Sequence, residues 1–248
     1  MPRRVLAAAA AAALVVTVLT GCRSDPRVAA YVNGKTITET QVDSMVDEAA
    51  KAARDAGQAA DGNGAAGVHL PTRAEAVSVL ATQEIARQTL ADRSLTKAQI
   101  DAGQVAQQFG VPAGTSYANA LTDVVASIIV LESEAGNAQP TDAELRDVYD
   151  RAVAGGLAAP GTFDQIKPQL LQVQGLPQDI AARNELAKGV AHGGVNVNPR
   201  YTPLEFPVET LSTQDGRSFV AVALPLGQPA GGGAVTDTVP TPVASAAD

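Results

Sequence analysis

A mainly α-helical domain with a small β element is the fold class this sequence predicts, and three observations carry the prediction. Thr-x-x-Glu/Gln, the spacing of a helix N-terminal capping box, stands ahead of an apolar-periodic run at Thr38/Gln41, Thr72/Glu75, Thr96/Gln99, Thr141/Glu144 and Thr162/Gln165. Hydrophobic residues make up 46% of the 248 positions, yet aromatics only 3% and there is no Trp, so the core has to be built from Leu, Val and Ile on helices. Extended, β-like chemistry is confined to an N-terminal hairpin at Val28–Ile37 and to segments after Gly194.

Residues 1–21 read as a leader. Arg3 and Arg4 form a positive start, and Val5–Leu19 is an uncharged apolar run shorter than the ~20 residues that span a bilayer. Leu19-Thr20-Gly21-Cys22 follows at once and resembles a bacterial lipobox, which implies that Cys22 is the lipid attachment site and the first mature residue. The plainer alternative is a secretory leader with a chance cysteine. Cys22 is the one cysteine of the chain, so an intramolecular disulfide is excluded. Two or more acyl chains would anchor stably where one holds marginally. The expected location is the outer face of a bacterial membrane, with residues 22–27 as a lipidated tether.

The folded domain is expected over residues 28–227. Val28–Val32 turns at Asn33-Gly34, a pair suited to a two-residue hairpin, and returns through Lys35–Ile37. A helix from Thr38 to about Ala56 places Val42, Met45, Val46 and Ala49 on one face. Residues 57–70 are Gly/Ala-rich without periodicity and read as a flexible loop. The next helix runs from Pro71-Thr72 to about Asp92, burying Val77, Leu80, Ala81 and Ile85. Thr96 opens a helix that buries Ile100, Val105 and Phe109 before Gly110–Gly114. Ser116–Glu134 is the most hydrophobic element, the one around which the others should pack, with Tyr117, Leu121, Val124, Val125, Ile128 and Leu131 at core spacing.

After a break at Asn137–Pro140, Leu145, Val148 and Tyr149 line a short helix, and Ala152–Gly161 is a linker. Pro168 and Pro177 keep the Thr162 helix short or kinked. A last helix spans about Pro177–Ala191. Val195–Phe206 and Ser218–Leu224 are extended around an Asp215-Gly216 turn, and residues 228–248 hold too few large apolar groups to order.

Formal charge is −8, and setting aside Arg3 and Arg4 with the leader leaves 16 basic against 26 acidic residues, a balance of −10. That excludes nucleic acid as a partner, because counterion displacement needs basic side chains, and makes non-specific attraction to anionic lipid equally unfavourable. Contact with the membrane would run through the lipid alone.

The run Ala30–Thr38, a helix behind it and the late Asn198-Pro199-Arg200-Tyr201 resemble the SurA-type and PrsA-type extracytoplasmic chaperones. The resemblance covers roughly residues 28–205 in order of elements, with letter matches at the two ends. It implies a SurA N-terminal-like helical domain in which the chain ends meet, and binding of exported, unfolded or partly folded proteins. A parvulin-type prolyl isomerase is usually inserted in such chains, and it needs about a hundred residues of mixed α/β sequence. Only the linker near Ala152–Gly161 is available here. The expected protein is therefore not an enzyme. The alternative is a structural or adaptor lipoprotein that holds one cell-envelope partner.

Other chemistry is weakly signalled. His69 follows the flexible loop and His192 a helix end, where terminal carbonyls are the usual partner. No Cys/His cluster, EF-hand, nucleophile elbow or phosphate loop occurs, so no catalytic residue, metal, cofactor or small-molecule substrate is expected. Asp43, Asp47, Glu48, Asp142, Glu144, Asp147 and Asp150 read as solvated helix faces and first turns, with recognition of a basic partner as the other reading. Asn33-Gly34 and Asn198-Pro199-Arg200 are expected to be architectural.

Overall fold

Hairpin, helices and returning strands follow one another in the computed structural model, which describes residues 25–57, 68–156, 161–212 and 216–227. The expectations for the leader, Cys22, most of the 57–70 loop and the 228–248 tail lie outside the described residues. The fold is mainly helical with a small antiparallel β element, as the sequence predicts.

Strands β1 (Val28–Val32) and β2 (Lys35–Thr38) form the hairpin. Asn33 and Gly34 both take positive φ, 52° and 80°, which a two-residue turn of this kind requires and which Gly and Asn tolerate best. Thr38 caps α1 (Glu39–Asp55) by accepting the Gln41 amide at 3.1 Å, and Val42, Met45, Ala49 and Ala53 form its buried face. In α2 (Arg73–Asp92) the capping box is complete, with Thr72 accepting the Glu75 amide at 3.2 Å and Glu75 accepting the Thr72 amide at 2.7 Å.

The box expected at Thr96 does not form. Residues 96–100 carry no helix, and α3 (Ala102–Gln108) begins instead behind Asp101, which accepts the Gln104 amide at 2.8 Å. Tertiary contacts take the place of the helix: the Ala98 amide donates to the Ala126 carbonyl at 3.1 Å and Lys97 pairs with Asp123, so the segment is tied to the neighbouring helix. Ile100 precedes α3, and Phe109 is 44% exposed rather than buried.

Helix α4 (Ser116–Ala135) buries Tyr117, Leu121, Val124, Ile128 and Leu131, with Val125 partly buried. It does not hold the centre alone. α2 is buried on nearly every face between Ala76 and Leu90, because Ala76, Ser78, Ala81 and Ala86 let neighbours approach closely. α5 (Asp142–Ala154) has a complete box at Thr141/Glu144 and buries Leu145 and Val148. α6 (Phe163–Leu170) is short, with Pro168 inside it, and Gln165 reaches back to the Thr162 amide at 2.9 Å. α7 (Leu176–Gly193) carries Pro177 in its first turn, where a missing N–H costs nothing.

The chain then returns to its start. β3 (Val195–Val197) pairs antiparallel with β1, giving a sheet of order β2-β1-β3. A 3₁₀ turn at Pro199–Tyr201 interrupts the extended run expected through Phe206. β4 (Leu204–Ser212) and β5 (Ser218–Gly227) then form a separate two-stranded ribbon longer than the sequence suggests. Both strands are edges, which is where Pro207 and Pro225 are tolerated.

Two apolar clusters result. The larger joins the hairpin, α1–α4, the second half of α7 through Ala182 and Leu186, and the ends of the ribbon. The smaller gathers Leu145, Val148, Phe163, Leu176, Ile180, Ala221 and Val222, with Val208 of β4 packed against both.

Candidate binding groove

On the buried stripe of α2, after Val77, Leu80 and Ala81, stands a glutamate. Glu84 is 3% exposed, and a carboxylate so placed needs donors on the spot. Arg87, nearly one turn on, donates Nε and Nη2 at 3.1 and 2.5 Å, Gln88 donates at 3.0 Å, and Lys35 reaches in from β2 at 3.3 Å. Hydrogen bonding from Arg87, seconded by Lys35, holds the Glu84 carboxyl below its ordinary value against the opposing effect of burial. A similar arrangement lies on α4, where Asp123 accepts Gln83 Nε2 at 2.9 Å and pairs with Lys97.

Between these two charged groups runs an open groove of about 450 Å³ with Leu90, Ala91 and Leu95 along it and Ser127 opposite. Its volume lies in the range of ligand pockets, roughly 300–1,000 Å³. The Lys35, Arg87 and Lys97 side chains are each more than half exposed, whereas the Glu84 side chain is buried. The groove therefore shows solvent the ion-paired heads of Lys35, Arg87 and Lys97 and the partly exposed Asp123 carboxylate beside an apolar strip, on a chain whose formal charge is −8.

A second polar constellation closes the ends of the fold. Glu39, first residue of α1, accepts Tyr201 Oη at 2.7 Å and Arg73 Nη2 at 2.6 Å, and Arg73 also pairs with Asp43. Arg200 Nη1 lies 3.5 Å from the other Glu39 oxygen, an ion-pair separation without hydrogen-bond geometry. Tyr201 is pushed up by burial and by its bond to Glu39. The Arg73 guanidinium is held charged by Tyr201 and Glu39. Asn198 donates Nδ2 to the Val28 carbonyl at 2.9 Å and Arg200 donates Nη2 to the Pro26 carbonyl at 3.1 Å, so Asn198-Pro199-Arg200 has the architectural role expected of it.

The remaining sequence candidates separate. His192 Nδ1 sits 2.7 Å from the Lys188 carbonyl oxygen, the helix-end contact anticipated for it. His69 Nε2 lies 3.1 Å from Glu75 Oε1, in the first turn of α2. The acidic residues are less idle than a solvated face implies. Glu48 accepts the Ser116 amide at 3.2 Å at the start of α4, Glu144 accepts Asn184 of α7 at 2.6 Å, and Asp142 and Asp147 pair with Lys167 and Arg151. Asp47 and Asp150 are exposed.

Sequence reasoning missed the groove, although an acid on an apolar stripe was a readable signal for Glu84. Among the described residues, no set of three or more His, Cys, Asp or Glu side chains is placed to hold a metal ion, and no helix is long and apolar enough to cross a membrane. Comparison of the chain with protein-family models, curated proteins and solved structures finds no match.

Proposed function

We propose that this chain is a non-catalytic, chaperone-like binder of exported proteins that are unfolded or partly folded, held at the outer face of a bacterial membrane by lipid on Cys22. The observation that carries the reading is the α2–α4 groove, with an apolar strip between exposed cationic heads and an opening along its length. An extended segment could lay apolar side chains on Ala91 and Leu95 while its backbone and any acidic side chains meet Lys35, Arg87 and Lys97. Such contact is weak and reversible, because exposed ion pairs contribute ~1 kcal/mol or less and the apolar strip is short. The anchor would raise the local concentration where clients emerge.

The order of elements supports the same reading. A terminal hairpin, a helical body and a returning strand paired to the hairpin is the arrangement that the resemblance to SurA-type and PrsA-type chaperones implies. The test is suppression of aggregation of an unrelated unfolding protein by residues 23–248 at stoichiometric ratio, with prolyl isomerisation followed on the same sample. Suppression without isomerisation is expected. Absence of both effects would overturn the proposal and favour an adaptor for one envelope partner.

A further inference from the structure

Ala143, Asp147 and Arg151 stand one turn apart along a single face of α5, with Glu144 beside the first of them. That face, Arg183 of α7 and the ribbon residues Glu205, Ala223 and Pro225 line an open cleft of about 340 Å³. Its volume is in the range of small-ligand sites, and it shares no residue with the α2–α4 groove.

The charged groups of this cleft do not all answer one another. Arg151 is committed: Nη1 and Nη2 donate to the two Glu205 oxygens at 3.0 and 3.2 Å, and Nε donates to Asp147 Oδ2 at 3.1 Å. Glu144 is committed too, since it closes the Thr141 capping box and accepts Asn184 Nδ2 at 2.6 Å. Against burial, the bonds from Thr141 and Asn184 hold its carboxyl below the ordinary value, and Arg183 acts on it through charge alone. Arg183 itself makes no hydrogen bond or ion pair among the described residues, and its Nε is buried without an acceptor. Buried donors in native folds are normally answered. On the acceptor side, Asp147 Oδ1 takes no bond from the described residues, and each Glu205 oxygen takes one where it can accept two.

Charge then decides the class of ligand. Three carboxylates against two guanidiniums leave the cleft with one negative charge in excess. A plain anion drawn to Arg183 would be opposed by that excess, and a plain cation would leave Arg183 unanswered. A molecule with both a carboxylate and an ammonium meets both needs. Ala143, Ala223 and Pro225, the uncharged residues of the lining, suit a small side chain.

We propose that the cleft between α5, α7 and the ribbon binds a small zwitterion of the amino-acid or dipeptide class, with Arg183 donating to its carboxylate and Asp147 and Glu205 accepting from its ammonium. Short motifs carry no sign of such a site, because its charged groups come from three remote segments.

The experiment is a nitrogen-15 NMR titration of residues 23–248 with L-alanine and with L-alanyl-L-alanine. N-acetyl-L-alanine, which lacks the ammonium, and L-alaninamide, which lacks the carboxylate, are run beside them. Saturable shifts of the Asp147, Arg183 and Ala223 amides are expected for at least one zwitterion, with a dissociation constant on the order of 1 mM. Tighter binding of alanine would identify a free amino acid as the ligand, and tighter binding of the dipeptide a short peptide. Both single-charge analogues should bind at least about tenfold more weakly. Arg183→Met keeps the apolar stem and removes the unanswered guanidinium, so it should lose binding by a similar factor while melting within roughly 2 °C of the parent. No saturable shift with either zwitterion, a single-charge analogue that binds as tightly as alanine, or undiminished binding by Arg183→Met would overturn the proposal.

Discussion

A single phenol adds a side-chain bond to the β1–β3 pairing that closes the chain ends. Tyr201 Oη donates to Glu39 across 162 positions of sequence, and Glu39 is 8% exposed. Tyr201→Phe keeps the ring and leaves a buried carboxylate short of one donor, a loss of about 1–2 kcal/mol. A lowered urea midpoint with unchanged slope is the expected result, and an unchanged midpoint would mean that Arg73 alone satisfies Glu39. Nothing in the local sequence marks Tyr201 for this role, because its partner is fixed only when β3 docks on β1. Glu84 is the opposite case. Its place after Val77, Leu80 and Ala81 already says that a charge faces the core, and only the identity of Lys35 and Arg87 as partners needed the fold.

Elements were legible where local signals agree with one another. Thr72, Thr141 and Thr162 head helices as their spacing indicates, and Asn33-Gly34 turns the hairpin. At residues 96–104 two capping signals compete, Thr96/Gln99 and Asp101/Gln104, and the second prevails because Lys97 and Ala98 are held to α4. Asp101→Ala should therefore cost about 1 kcal/mol, and Thr96→Ala, at an exposed position outside any helix, much less. Equal losses in chemical denaturation would contradict this assignment. Helix packing was less legible than helix position. A Cβ at Gly189 of α7 would stand 2.9 Å from Thr89 Oγ1 and 3.0 Å from Ile85 Cγ2, so glycine sets how closely α7 approaches α2. Gly189→Val should cost about 1–3 kcal/mol by overpacking. Gly189→Ala should cost less, since a gain of about 1 kcal/mol in helix propensity offsets part of the clash. A stabilised valine variant, measured by thermal melting, would show that the two helices can separate freely.

At the scale of the whole molecule, the hairpin and β3 close a helical body on which α2 and α4 share the centre, and the groove lies on the outer side of that pair. Mainly helical architecture could be read from capping and periodicity, whereas the β4–β5 ribbon and the division of the core into two clusters depend on contacts between remote segments. The groove was hidden for the same reason, since it combines β2, α2, the segment after it and α4. Ala91 of its floor is exposed and can be altered with little effect on the fold, whereas Leu95 is partly buried against the larger cluster and is the costlier change. Aggregation suppression by the parent and by the Ala91→Glu/Leu95→Ser variant, compared side by side at equal stoichiometry, tests the central claim most directly. The account predicts that the parent protects an unfolding client and that the folded variant loses most of that protection. Equal protection by both would place client binding elsewhere and contradict the groove as the working surface.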